Sequence, residues 1–404
     1  MKKYFLLFMF IALIHPSVFS GGYQVRLQSQ KHTGIGLIGT PLAWGSSSIF
    51  YNPGALSMYK GRYDVSLGMS FVSPNVVFEP YNSPLNYKTN TEIGMPFYVY
   101  FSGKITDKIT AGIGVYTPYG STASWPQDWP GRNIVQSISL KAYFIQPTIS
   151  YKINDRLGVG AGLVFVAGTV KFEKGLNYSR DSYAMLEGMT DNIGFNIGVY
   201  YKPTDKIQLG IDYRSKIEMD LTNGDATFYL PESIYSIVPK DNKFSSTLPL
   251  PANLDVGIAY NISDKWMVAA ELNWVQWSAY KSLEFKFKKA GELLNQNEPR
   301  KYQDRLIYRL GAEYCPVEIV KYRLGIYYED SPANSDYFSP ETVTLNTLGI
   351  TAGVSLYPIK NLSIDLSFAQ TFGFKAEKNY KPANFKGTYQ TFISIPGIGI
   401  SYRF

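Results

Sequence analysis

The stretch Leu362-Ser363-Ile364-Asp365-Leu366-Ser367-Phe368 alternates strictly between apolar and polar side chains. Successive side chains of a β-strand point to opposite faces, so this stretch presents one apolar face and one polar face. The same period of two recurs at residues 207–214 and 322–329. The pattern predicts a chain made of many strands, each with one side that is apolar and one that accepts polar groups.

The connections between the alternating segments have two lengths. Short polar turns occur near residues 106–107, 154–155, 203–205, 261–264, 316–318 and 358–361. Longer segments lie between them, at about 74–92, 118–137, 174–190, 221–248, 277–303, 330–345 and 374–389. Because short and long connections alternate, these thirteen connections predict fourteen antiparallel strands between residues 62 and 404.

Short turns on one side and long loops on the other are typical of an outer-membrane β-barrel with an even number of strands. A soluble sandwich or propeller does not require this asymmetry. Trp266 and Trp274 bracket one apolar face, and their spacing spans about 26 Å along a strand, or about 20 Å vertically at a tilt of ~40°. We therefore expect an all-β fold, a fourteen-stranded antiparallel transmembrane barrel.

The first residues are typical of an export signal. Lys2 and Lys3 precede an apolar run from Tyr4 to Ile14, and small residues end at Ser20, which predicts a signal peptide over residues 1–20. Without these two lysines the formal charge falls from +7 to +5, and no basic cluster remains. We therefore expect no nucleic-acid partner, and no later apolar run approaches the length of a spanning helix.

Residues 21–61 do not alternate cleanly, whereas residues 62–404 do. A barrel of this size has a lumen wide enough to leak unless something fills it. We expect residues 21–61 to form a hatch inside the barrel formed by residues 62–404. Asn52-Pro53-Gly54 is a strong turn signal, and the Asn52 amide is suited to bridging the hatch to the wall where the wall bends inward.

The residues that usually carry catalysis or bind metals are scarce. His32 is the only histidine after the signal peptide, and Cys315 is the only cysteine, so zinc sites built from several such ligands are excluded. The stretch from Gly34 to Gly39 fits a dinucleotide pattern, but Pro41 breaks the helix that such a site requires. We expect no enzyme activity, no cofactor and no metal site.

Several motifs resemble the outer-membrane FadL/TodX family of transporters for long-chain fatty acids and other hydrophobic compounds. Gly22-Tyr23-Gln24, a glycine-rich stretch and then Tyr51-Asn52-Pro53-Gly54-Ala55-Leu56 are similar to the family's hatch. One departure is Gly54, where the family usually has alanine. Further similar stretches follow in the family's order at 116–120, 125–132, 213–216, 248–251, 274–278, 308–311 and 329–332.

The resemblance implies passive uptake of long-chain fatty acids or aromatic hydrocarbons. The ligand would enter a groove among the extracellular loops, reach a lumen site beside the hatch, and leave sideways where the third strand kinks. Pro118 cannot donate a ladder hydrogen bond and nearby glycines weaken pairing, so the kink is assigned to Gly114, Thr117, Pro118 and Gly120. By position, the candidate ligand-binding residues are Trp125, Trp129, Arg132, Lys171 and Arg305.

The resemblance also implies partners and a location. We expect a monomer among the lipids of the outer membrane of a Gram-negative bacterium, with the terminal Phe404 recognised by the barrel-assembly machinery. A general polar porin is an alternative that requires an open lumen. A surface receptor or adhesin is another, because the long loops face outward. The identity of the hydrophobic substrate stays open.

Overall fold

Fourteen antiparallel strands, β1 to β14, close into a barrel in this computed structural model, which describes residues 22–404. The strands are β1 (Tyr63–Ser70, continued by Ser73–Pro80), β2 (Phe97–Lys104), β3 (Ile109–Ser124), β4 (Ser137–Asn154), β5 (Leu157–Gly175), β6 (Tyr183–Tyr201), β7 (Ile207–Arg214 and Ile217–Tyr229), β8 (Asp241–Leu250 and Asn253–Asn261), β9 (Trp266–Val275), β10 (Arg305–Val317), β11 (Val320–Glu329), β12 (Thr347–Ile359), β13 (Leu362–Gly373) and β14 (Phe385–Arg403). The predicted signal peptide lies outside the described residues.

The barrel closes because β1 pairs with both β2 and β14. Asp64 lies opposite Arg403, and Ser70 lies opposite Gly397. Short strands within the loops are Tyr87–Lys88, Ser282–Phe287, Gln296–Pro299 and Ala376–Tyr380. Short helices are Gln30–Gly34, Ser48–Tyr51, Pro53–Ser57, Glu232–Ile234, Trp277–Ala279, Gly291–Leu294 and Lys381–Ala383. In the part of the chain that the structure describes, no helix is long and apolar enough to cross a membrane.

The predicted number of strands is confirmed, but several predicted loop boundaries are wrong. β3 runs on to Ser124, although the sequence predicts a loop from residue 118. Likewise β6 begins at Tyr183 and β7 ends at Tyr229, so both extend into segments predicted as loops. Apolar side chains are required on the outer face of a strand only where that face contacts lipid. Beyond that band the alternation fades although the backbone pairing continues, so the pattern underestimates strand length.

The two faces of β13 follow the predicted alternation. The side chains of Leu366 and Phe368 are 47% and 46% exposed on the outside of the barrel, whereas Ser363 and Asp365 are 2% exposed. Exposed aromatic side chains ring the end of the barrel that carries the short turns, namely Tyr151, Tyr201, Tyr260, Trp266, Tyr322 and Tyr402. This arrangement is typical of an aromatic girdle at a membrane interface. Phe404 packs beside Tyr63 at the same end.

Residues 22–61 lie inside the ring of strands and contact its wall on several sides. The Gln30 amide donates to the Met69 carbonyl of β1 at 3.0 Å, and the Gly36 amide donates to the Thr351 hydroxyl of β12 at 2.9 Å. Where residues 22–61 approach the wall most closely, the wall residues are glycines, which have no side chain. A Cβ atom added at Gly325 would lie 2.1 Å from the Gly36 nitrogen. We call residues 22–61 the N-terminal segment.

Replacing Leu366 by arginine is expected to destabilise the barrel by about 2–4 kcal/mol, because this outward position lies near the middle of the lipid-facing band. Denaturant unfolding in lipid vesicles measures the loss. Val317→Arg is the matched control, since Val317 lies beside a short turn, where the expected loss is about 0–1 kcal/mol. Equal losses at the two positions would contradict this orientation of the barrel in the bilayer.

Candidate functional site

The pairing of the third strand with both neighbours changes at the residues where the sequence predicts its kink. The pairing of β3 with β2 ends at Tyr116, which lies opposite Tyr98. The register between β3 and β4 shifts between Tyr116 and Tyr119, and Pro118 has no amide hydrogen to donate. The barrel wall is therefore broken between β2 and the upper part of β3.

The N-terminal segment satisfies the backbone groups that this break exposes. The Gly120 amide donates to the Tyr23 carbonyl at 2.9 Å, and the Val25 amide donates to the Pro118 carbonyl at 2.7 Å. Buried backbone groups require such partners. The segment thus replaces β2 as the neighbour of β3 along the break.

Thr117 and Gly114, the other predicted kink residues, lie at different places. The Thr117 hydroxyl accepts a hydrogen bond from the Phe97 amide at 3.0 Å, which places Thr117 at the lower edge of the break. Gly114 lies below it, opposite Tyr100 in the intact ladder. A Cβ atom at Gly114 would lie 2.6 Å from the Tyr100 ring, so Gly114 makes room for packing below the opening.

A cavity of about 530 Å³, the main cavity, extends from the lumen to the break. Its inner lining includes Arg309 and Tyr327, which are 4% and 6% exposed. Its outer lining includes Met95 and Tyr143, which are 63% and 40% exposed on the outside of the barrel. The lining of the main cavity therefore combines buried residues with residues that are exposed on the outside.

Gly120 lines this cavity. A Cβ atom added there would meet a single neighbour within contact range, the Leu140 carbonyl oxygen at 3.5 Å. The backbone at Gly120 does not require glycine, because its φ lies outside the left-handed region. A larger side chain therefore fits at this position by extending into the opening.

A second, much smaller space of about 30 Å³ adjoins the main cavity on the side of the long loops. The two spaces share the lining residues Ser121, Leu140 and Thr342. The remaining lining residues are Tyr23, Ile138, Val170, Phe172, Leu186, Leu221, Phe244, Ser246, Leu248, Tyr280, Leu283 and Phe285. We call this space the apolar cavity, because its lining consists of aliphatic and aromatic side chains with a few hydroxyl groups.

Arg26 holds the N-terminal segment to the opposite wall. Its Nη1 lies 3.0 Å from Asp255 of β8, its Nη2 lies 2.8 Å from Glu271 of β9, and its Nε donates to the Leu37 carbonyl at 3.1 Å. All three charged side chains are at most 7% exposed. Removing one partner from such a buried cluster costs about 3–5 kcal/mol, because it leaves an uncompensated charge.

Glu271 is the centre of this cluster. It accepts hydrogen bonds from the Gly39 and Thr40 amides at 3.0 and 2.9 Å. It also pairs with Arg309 of β10, whose Nη1 lies 3.2 Å away. One carboxylate of the wall therefore binds two successive amides of the N-terminal segment and two arginines.

Asn52, Pro53 and Gly54 form the predicted turn, and the turn contacts the wall. The Asn52 side chain donates to the Thr40 carbonyl at 2.8 Å and to the Val199 carbonyl at 3.0 Å, and it accepts from the Gly54 amide at 2.9 Å. The expected contact with the bent part of the wall is wrong, since Val199 belongs to β6. A Cβ atom at Gly54 would lie 2.6 Å from the Gly198 carbonyl oxygen, which explains the departure from alanine.

His32 lies inside the N-terminal segment and is 1% exposed. Its ring stacks on Tyr51 at 4.2 Å and lies 5.0 Å from Trp44. Burial, and then the positive charges of Arg323, Lys31 and Arg26, lower the pKa of His32 well below its usual value. Among the described residues, no group of three or more histidine, cysteine, aspartate or glutamate side chains is placed to hold a metal ion.

The predicted ligand residues Trp125 and Trp129 pack against each other in the loop after β3. Their rings stack with centroids 4.2 Å apart. Their indole nitrogens donate to the Pro340 and Val135 carbonyls at 3.3 and 3.0 Å. They line neither the main cavity nor the apolar cavity, and their role in binding stays a prediction.

The three predicted basic ligand residues also lie away from both cavities. Arg132 donates to a backbone carbonyl in the loop after β5 at 3.1 Å. Lys171 pairs with Glu187 at 2.7 Å, and both side chains are exposed. Arg305 donates to the Ser331 carbonyl at 2.8 Å. Their role likewise stays a prediction.

The sequence prediction did not include the residues that join the N-terminal segment to the wall. Asp255, Glu271 and Arg309 occupy inward positions of strands whose other face is apolar. The alternation of the sequence alone is enough to identify a charged residue at such an inward position. The partner of each charge depends on register across the barrel, which one sequence does not contain.

Comparison with known proteins places the chain in a family. A family model described as "Outer membrane protein transport protein (OMPP1/FadL/TodX)" matches residues 11–404. The chain belongs to this family. As a FadL/TodX family member, it is a multi-strand barrel of the Gram-negative outer membrane.

Individual FadL/TodX relatives match over nearly the whole chain. The "Long-chain fatty acid transport protein" of Salmonella typhi is 21% identical, covering 98% of this chain and 97% of the relative. A FadL homologue of Pseudomonas aeruginosa has the same fold with a TM-score of 0.84 and 18% identity, covering 95% and 100% of the two chains. The toluene transporter TodX of Pseudomonas putida has a TM-score of 0.75, with 18% identity over 96% and 100%.

Replacing Arg26 by methionine is expected to loosen the N-terminal segment while the barrel persists, because Asp255 and Glu271 lose a buried counter-charge. Hydrogen exchange should become faster by at least about tenfold for amides of residues 22–40, with strand amides unchanged. Adding Asp255→Asn to Arg26→Met should restore part of the protection. Unchanged exchange in the single variant would show that Arg26 does not hold the segment.

Proposed function

We propose that this chain is a passive outer-membrane channel for hydrophobic molecules, with a sideways exit through the break in β3. The observation that carries the proposal is the main cavity, which reaches from buried Arg309 to lipid-exposed Met95. An apolar ligand gains about 0.8 kcal/mol for each methylene group that it buries. A side exit into the bilayer keeps that gain, whereas a water-filled axial channel forfeits it.

The route begins among the long loops and passes through two cavities. The apolar cavity lies toward the loops and adjoins the main cavity at Leu140. The stacked Trp125 and Trp129 belong to the aromatic packing of the loops above. The ligand enters between the loops, moves through the apolar cavity into the main cavity, and leaves between β2 and β3.

In this proposal the N-terminal segment, residues 21–61 of the sequence prediction, acts as the hatch of a barrel formed by residues 62–404. Its close backbone contacts with wall glycines, such as Gly36 against Gly325, support this role. So does the buried Arg26 cluster. Such a filled lumen disfavours a general polar porin, and no observation specifically favours a receptor or adhesin.

The names of the matched proteins support hydrophobic substrates. One relative is a "Long-chain fatty acid transport protein", and two structural neighbours are toluene transporters. We extend to this chain the shared property of these substrates, their hydrophobicity. Phe404, exposed at the end of β14, is then the residue that the barrel-assembly machinery recognises, and the channel acts as a monomer.

Replacing Gly120 by tryptophan is expected to abolish uptake, because the indole extends into the open side of the main cavity and fills the exit. Barrel folding should persist, since a Cβ atom at this position meets a single neighbouring atom at ordinary contact distance and the backbone does not require glycine. The measurement is uptake of a radiolabelled hydrophobic compound by cells with equal surface amounts of the two proteins. Gly120→Ala is the matched control and should transport normally. Full uptake by Gly120→Trp would exclude the exit at this break.

Replacing Asn52 by alanine is expected to reduce uptake while leaving a heat-stable barrel. The loss of the hydrogen bonds to Thr40 and Val199 costs about 1–3 kcal/mol, which is small against a closed barrel. Heat-modified gel mobility reports the barrel, and ligand uptake reports the hatch. Normal uptake would leave Asn52 with a purely structural role in the turn.

A further inference from the structure

We propose that the ligand of this channel is uncharged, a hydrocarbon or a molecule with at most a hydroxyl or ester group, rather than a carboxylate anion. This inference rests on the proposed function and concerns the chemical class of its substrate. It is argued from the charges that line the two cavities.

The apolar cavity offers no counter-charge. Its lining residues all lie in the described range 22–404, and none of them is charged. The polar groups that line it are hydroxyls, of which Tyr23 already donates to the Pro249 carbonyl. A hydroxyl or carbonyl group of a ligand finds partners there, but an ionised carboxylate does not.

The inner cations of the main cavity are already ion-paired, although the Arg309 Nε has no hydrogen-bond partner among the described residues. Arg26 pairs with Asp255 at 3.0 Å and with Glu271 at 2.8 Å. Arg309 pairs with Glu271 at 3.2 Å and donates to the side-chain Oδ1 of Asn273 at 3.4 Å. A ligand carboxylate would have to displace a protein carboxylate that is bound to the same guanidinium groups.

The remaining inner charged residues of the main cavity are two glutamates. Glu329 and Glu341 both line it. Glu341 pairs with Arg300 at 2.6 Å, so that guanidinium is also engaged. The other lining cation, Lys141, is exposed on the outer surface of β4. Among the described residues, no inner cation that lines the main cavity therefore lacks an acidic partner.

The physical consequence is selectivity by desolvation. An ionised carboxylate that leaves water without a counter-charge pays a large penalty, whereas an ester of the same chain length does not. The two molecules gain equally from burying their methylene groups. A neutral ligand should therefore bind more tightly than its anionic analogue by at least about tenfold.

The test compares methyl dodecanoate with dodecanoate at about pH 8, where the acid is ionised. Both radiolabelled probes are offered to the full-length protein in lipid vesicles, and binding and uptake are measured. Methyl dodecanoate should bind at least about tenfold more tightly. Equal binding, or tighter binding of dodecanoate, would overturn the inference and leave the proposed function intact. Failure of both probes to bind would instead refute the proposed function.

A variant designed to gain binding provides a second test, which does not depend on how strongly each probe partitions into the vesicle lipid. Thr342 lies in a loop and lines both cavities, so Thr342→Lys adds the counter-charge that the interior lacks. This variant should bind dodecanoate at least about fivefold more tightly than the parent protein, with little change for methyl dodecanoate. Thr342→Gln, which is polar but uncharged, is the matched control and should not gain dodecanoate binding. No gain from the lysine would contradict the inference.

Discussion

The close contact between the N-terminal segment and the barrel wall determines where the other features lie. A ring of fourteen strands encloses more space than inward side chains fill. Backbone therefore has to occupy the lumen, and it has to approach the wall closely enough to exclude water. Glycine on one or both sides of the contact makes this approach possible, as at Gly36 against Gly325 and Gly54 against Gly198. The high glycine content of the sequence is partly a consequence of this packing.

The opening in the wall exists because the same segment stabilises it. A strand that leaves its neighbour exposes amides and carbonyls, each of which costs free energy if it is buried without a partner. Tyr23 and Val25 supply those partners to Gly120 and Pro118. The break is therefore compatible with a stable barrel, since its backbone groups on the inner side are satisfied while the outer side faces lipid. In the proposed function, the hatch and the exit therefore belong to one structural unit.

The barrel was predictable from the sequence because lipid requires apolar side chains on the outer face of every spanning strand, and these alternate with inward side chains. The sequence also indicated the turn at Asn52 and the change of strand pairing near Pro118, because proline and glycine act locally on the backbone. It did not predict the strand ends above the membrane band, where the outer face contacts water and the pattern disappears. Nor did it predict that Arg26 pairs with Asp255 and Glu271, which lie 229 and 245 residues away. Such pairings depend on the register of the strands around the closed barrel. A local sequence pattern does not determine that register.

The Arg26 cluster links the chemistry of the ligand to the stability of the hatch. Arg26 lines the main cavity and also ties the N-terminal segment to β8 and β9. A ligand carboxylate that reached the Arg26 guanidinium would compete with Asp255 and Glu271 for it. Each contact that the ligand gained would remove a contact between the N-terminal segment and the wall. A neutral ligand passes the same point through dispersion contacts alone and leaves the ion pairs intact. A lumen sealed by buried ion pairs is therefore compatible with apolar cargo, which does not compete for the charges that keep it closed.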